Sequence, residues 1–165
     1  MLLFLDTEYT GLGQEQPRLI SLALVSEDGR REWYAALSEG WTEAECSEFV
    51  KRTVLPQIKG PRLNIADARI SLLEWMVDAP RRCIAACDAE QDFQFLLQLL
   101  GNRPKNLEPA HHDLAPLINT SIYHHAVEAY HAAPDRPWHH ALHDARSYRL
   151  GWLACQAKLA QEQAQ

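Results

Sequence analysis

The chain has 165 residues, 47% of them apolar and 23% charged, with a formal net charge of −6. That length suits one domain around one core, and the proportions are those of a soluble globular protein. No apolar run approaches the roughly 20 residues of a membrane span, and the acidic balance argues against a general nucleic-acid coating protein while leaving room for an enzyme that holds a few nucleotides.

The first predicted strand is Leu2–Asp6, a short apolar run that delivers Asp6 and Glu8 at its end. One residue apart on an extended chain, the two carboxylates share a side and repel each other unless a cation lies between them. Carboxylate oxygens are natural ligands of Mg²⁺ or Mn²⁺. The alternative is a pair of solvated acids at a strand end. Arg18–Ser26 and Glu32–Leu37 read as further strands around the hairpin signal Asp28-Gly29.

A helix is expected over Glu43–Val54, with Thr42 as N-cap and Pro56 as its stop. A second fits Ile65–Val77, closed by Asp78-Ala79-Pro80. Arg82–Cys87 reads as a fourth strand. Ala89–Leu100 has Phe93, Leu96, Leu97 and Leu100 at helical spacing, with Gly101 at its end. Residues 102–113 read as one irregular connection, and Leu114–Ala132 as helical despite Pro116. A last helix begins near His139, with Ala141, Leu142 and Ala145 as its packing face, and 161–165 reads as a frayed polar tail. Hairpin strands followed by strand–helix alternation imply an α/β fold, a mixed central sheet flanked by helices, with residues 1–160 as one domain.

The amino terminus lacks a basic region ahead of an apolar stretch, so no signal peptide and a cytoplasmic location are expected. Cys46, Cys83, Cys87 and Cys155 form no CxxC pair and read as buried thiols in a reducing compartment.

Two further acids join the opening pair. Asp92 lies just inside the helix after the fourth strand, and Asp144 lies in the first turns of the last helix, five residues after His139. The segments FLDTEYTGL, CDAEQDFQFLLQLLG and HHALHDAR resemble the three motifs of the DEDDh 3′–5′ exonuclease superfamily, which includes RNase T, oligoribonuclease and the bacterial polymerase proofreading subunit. The third motif is matched in full. The middle one departs from the family pattern: Asp92 aligns with the family aspartate, while Asp88, where many relatives have Asn, is the other candidate. The hairpin and the helix after Asp92 look most similar to a small bacterial 3′–5′ exoribonuclease-like branch.

The resemblance implies an RNase H-like fold and hydrolysis of phosphodiester bonds from an RNA, or DNA, 3′ end, releasing nucleoside 5′-monophosphates. Two divalent ions, Mg²⁺ or Mn²⁺, would be held by Asp6, Glu8, Asp92 and Asp144. Paired ions about 3.5–4 Å apart suit such chemistry. His139 would take a proton from the attacking water, a role that suits an imidazole. Thr7, Tyr9, Gly11 and Leu12 would hold the terminal nucleotide, although Leu12 and Tyr9 also read as packing residues. A homodimer is implied only by the habits of relatives.

Other readings stay open. His112-Asp113 and His143-Asp144 are His-Asp dyads of the kind HD-type metal phosphohydrolases use, but those domains are all-helical and leave Asp6 and Glu8 unexplained. A catalytically silent nucleic-acid-binding module of the same fold is the second. His131 and the remaining histidines read as surface or hydrogen-bonded structural residues, with His140 as a competitor for the base.

Overall fold

The computed structural model describes residues 1–79 and 82–164. Its centre is a five-stranded sheet in the order β3-β2-β1-β4-β5, built from β1 (Leu2–Tyr9), β2 (Leu19–Ser26), β3 (Glu32–Ala36), β4 (Ile84–Cys87) and β5 (His112–Asp113). β1 pairs antiparallel with β2 and parallel with β4, so the sheet is mixed. The helices are α1 (Ile65–Val77), α2 (Glu90–Leu100), α3 (Ala115–Ile118), α4 (Ser121–His131) and α5 (Ala141–Gln163).

Alternation along β1 divides the core. Leu3 and Leu5 point to a cluster with Leu72 and Met76 of α1 and Phe93, Leu96 and Leu100 of α2. Phe4 points the other way, to Ala141 and Ala145 of α5. Burying each such Leu or Phe contributes about 1.5–3 kcal/mol. The small side chains of Ala141 and Ala145 let α5 lie close on the sheet. At Gly151 the approach is closer still, because an added Cβ would meet the Tyr123 ring of α4 at 2.7 Å. Asp6 and Glu8 continue the face of Phe4 and therefore look toward α5.

Five expected elements take a different form or different bounds. β1 runs on to Tyr9, because Asp6, Thr7 and Glu8 keep pairing with Ala23, Leu22 and Ser21 before a bulge at Glu8/Tyr9. Thr42 does begin a turn, its amide bonded to the Glu45 carboxylate at 2.7 Å, but no α-helix spans Glu43–Val54. A 3₁₀ turn (Glu43–Glu45), a π turn (Val50–Val54) and a second 3₁₀ turn (Leu55–Gln57) stand there instead. Pro56 has no amide to return to Arg52, and the preceding turn closes five residues apart, Leu55 N to Val50 O. The span Leu114–Ala132 divides into α3 and α4, where Thr120 accepts the Tyr123 amide and starts the second helix. The connection 102–113 ends in the short strand β5, paired with β4. The last helix starts at Ala141 and reaches Gln163. Pro80, expected in the stop after α1, and Gln165 of the tail lie outside the described residues.

Candidate metal centre and cleft

Three elements converge at the carboxyl end of β1. The register that pairs Phe4 with Ala86 sets Asp6 beside the residues that follow Cys87, where β4 gives way to α2. From the other face, α5 presents Asp144 in its first turn. Asp6, Glu8 and Asp144 place carboxylate oxygens within 4.8 Å of one another, and Asp6, Asp88 and Asp92 do the same. Asp6 belongs to both groups. Asp6, Asp92 and Asp144 are buried, with no more than 8% of each exposed.

The sequence left Asp88 and Asp92 as rivals, whereas the fold gathers both. They are held differently. Thr7 Oγ1 donates to Asp92 Oδ1, and Tyr148 OH donates to Asp88 Oδ2 at 3.3 Å. Burial, with Asp6 and Asp88 nearby, pushes the Tyr148 phenol well up, so it stays protonated as a donor. Asp144 Oδ2 accepts the His140 backbone amide at 3.1 Å.

These acids strain toward neutrality. Burial first, then the charges of Asp144, Asp92, Glu8 and Asp88, raise Asp6 well above the usual carboxylate range. Burial and then Asp144 and Asp92 lift Glu8 to about 8. Burial and then Asp88 lift Asp92 to about 7, against the lowering hydrogen bond from Thr7. Desolvation and like-charge repulsion both disfavour the ionised form, and a positive charge among the oxygens reverses both effects. The donors are all carboxylate oxygens, which suits a hard divalent cation of the Mg²⁺ or Mn²⁺ kind.

The acids floor a cleft of about 580 Å³. Thr7, Tyr9, Gly11, Leu12 and His139 line it too. His139 sits on the connection ahead of α5 with φ 61°, an uncommon conformation for a residue with a Cβ, and the Phe49 ring meets its imidazole edge-on at 4.9 Å. Leu12 is 88% exposed, and Phe49 and Trp138 join it as exposed apolar side chains around the same opening. Gly11 has φ 154°, and an added Cβ would meet Ser47 Cβ at 3.0 Å. The loop is tied there, since the Ser47 amide donates to the Thr10 carbonyl at 2.8 Å. Two of these lining residues also have partners within the protein. The Thr7 hydroxyl is committed to Asp92, and the Tyr9 ring packs on Phe95 at 5.4 Å.

Sequence reasoning missed Phe49, Trp138, Tyr148 and the contact of His131 with Asp144. Only Trp138 carried a local signal, its place directly before His139. The mixed five-stranded sheet flanked by helices, together with the solved structure it superposes on, fits an α/β protein of the RNase H-like fold. Among solved structures of this shape is that of S. pombe Pop2p in its Mg²⁺- and Mn²⁺-bound form. It superposes with a TM-score of 0.65, covering 94% of this chain and 82% of that one at 12% sequence identity. That likeness is one of fold. No protein-family model matches the chain, and no curated protein matches it significantly.

Proposed function

We propose that the chain is a DEDDh-type, metal-dependent 3′–5′ exonuclease. It removes nucleoside 5′-monophosphates from the 3′ end of RNA, with DNA as the second candidate. The observation that carries this reading is the pair of carboxylate groups sharing Asp6 on the floor of a cleft that His139 also lines. The Mg²⁺ and Mn²⁺ of the Pop2p structure agree with it.

In this reading Asp6 would serve two cations, one held with Glu8 and Asp144 and the other with Asp92 and Asp88. When bound, such cations would activate a water and neutralise charge on the phosphate oxygens. His139 accepts the proton of the attacking water. Its exposure at the rim of the cleft lets water and phosphate reach it. Leu12, Phe49 and Trp138 offer apolar surface to the terminal base, and stacking on such surface tolerates any base. A cytoplasmic location and a homodimer belong to the same proposal; no helix among the described residues is long and apolar enough to cross a membrane.

The test is a product time course with Mn²⁺ or Mg²⁺ on end-labelled single-stranded RNA, single-stranded DNA and a duplex with a 3′ overhang. Stepwise release of mononucleotides from the 3′ end, abolished by Asp6→Ala, is the expected result. Release that survives Asp6→Ala would sink the site. No release from any substrate, with nucleic acid still bound, would favour the silent binding module. The HD reading calls for an all-helical bundle, which a five-stranded sheet is not.

A further inference from the structure

His131 ends α4, and its side chain is fully buried. The ring is fixed on three sides. Nδ1 lies 2.9 Å from the Arg136 carbonyl, so it carries a proton and donates, closing the turn after α4. Trp138 stacks on the ring at 3.9 Å and 19°. Tyr130 meets it edge-on at 5.1 Å.

The remaining nitrogen faces the acid cluster. Nε2 lies 3.2 Å from Asp144 Oδ1, yet the ring is not aligned for a hydrogen bond to that oxygen. A buried nitrogen so placed is the kind of unmet demand that functional sites retain. Asp144 is therefore approached from both ends of its carboxylate, by the His140 amide at Oδ2 and by His131 at Oδ1. The same imidazole braces Trp138, the residue immediately before His139. One side chain thus touches both an acid of the cluster and the connection that presents His139.

We infer that His131 is a positioning residue: it sets the Asp144 carboxylate for the cation and steadies the 136–139 connection. The inference rests on the metal reading above. Partners behind a metal ligand typically change metal affinity by about 10–100-fold when removed.

The test titrates Mn²⁺ into the chelator-treated full chain, following the free ion by electron paramagnetic resonance. His131→Phe keeps a ring against Trp138 and loses both nitrogens. His131→Gln gives up the ring but can bring an amide nitrogen toward Asp144. His131→Phe is expected to bind Mn²⁺ about 10-fold more weakly than wild type, and His131→Gln only about 3-fold more weakly. Affinity of His131→Phe within about 2-fold of wild type would overturn the inference, as would His131→Gln binding no better than His131→Phe. Where circular dichroism shows His131→Phe unfolded, Trp138→Leu replaces it; about 3-fold weaker binding supports the role and unchanged binding overturns it. A wild-type chain that takes up no Mn²⁺ overturns the metal reading, and this inference with it.

Discussion

Thr7 Oγ1 donates to Asp92 Oδ1, tying the strand that carries Asp6 and Glu8 to the helix that carries Asp92. The bond crosses from the α2 face of β1, whereas Asp6 and Glu8 point to the α5 face. It is how acids on two sides of one strand come to share a site. Thr7→Val keeps the shape and removes the donor. It is expected to cost about 1–3 kcal/mol of stability and to lower the proposed nuclease activity about 10–100-fold. Thermal unfolding and initial rates check the two effects separately. Asp88→Asn, which leaves the Thr7–Asp92 tie intact, should lower activity less than Asp92→Asn.

Asp6 stands in both carboxylate groups and is the most opposed by its neighbours. Asp6→Asn should therefore separate function from stability. Activity is lost, while the chelator-treated protein at pH 8 unfolds at a higher temperature than wild type. Relief of about 1 kcal/mol would raise the midpoint by about 2–4 °C in a chain of this size. A lower midpoint than wild type would contradict the repulsion described above.

The raised carboxyls give the metal-free protein an unusual pH dependence. Glu8 at about 8 and Asp92 at about 7 hold protons in the folded state that the unfolded chain has already released. Between the unfolded carboxylate pKa near 4 and the folded values, the native state binds more protons, so stability falls as pH rises. The thermal midpoint in chelator should decline from pH 5 to pH 8. Saturating Mn²⁺ should flatten or reverse that decline, because cation uptake displaces the same protons. Apparent Mn²⁺ affinity should climb over the same interval.

Gly11 tests the cleft wall. Its φ of 154° disfavours a side chain, and the 3.0 Å approach would make Ser47 give way to a methyl group. Gly11→Ala is expected to destabilise the protein by about 1 kcal/mol and to raise KM more than it lowers kcat. The disturbed loop carries Leu12 and none of the clustered acids.

Much of this arrangement was legible in local patterns. Period two set Asp6 and Glu8 on one side of β1, and period 3.6 with Ala141 and Ala145 set the packing face of α5. Both patterns depend on near neighbours in sequence. What stayed hidden depends on distant ones. Residues 43–57 carry helical composition, yet Pro56 redirects the turns. β5 is two residues long and exists only because β4 is there to pair with it. Asp88 and Asp92 looked like alternatives because a linear motif offers one slot, while the end of β4 brings both to Asp6. The contact of His131 with Asp144 spans two helices and has no signature in either.

The floor of the cleft concentrates five carboxylates, those of Asp6, Glu8, Asp88, Asp92 and Asp144. To the extent that these acids are ionised, the floor repels a polyanion, and a bound cation offsets that repulsion. The consequence is kinetic. For the nuclease proposed above it would favour an order of arrival, with the ion admitted first and the nucleic acid second, so that a scarcity of divalent ions would slow capture before it slowed cleavage.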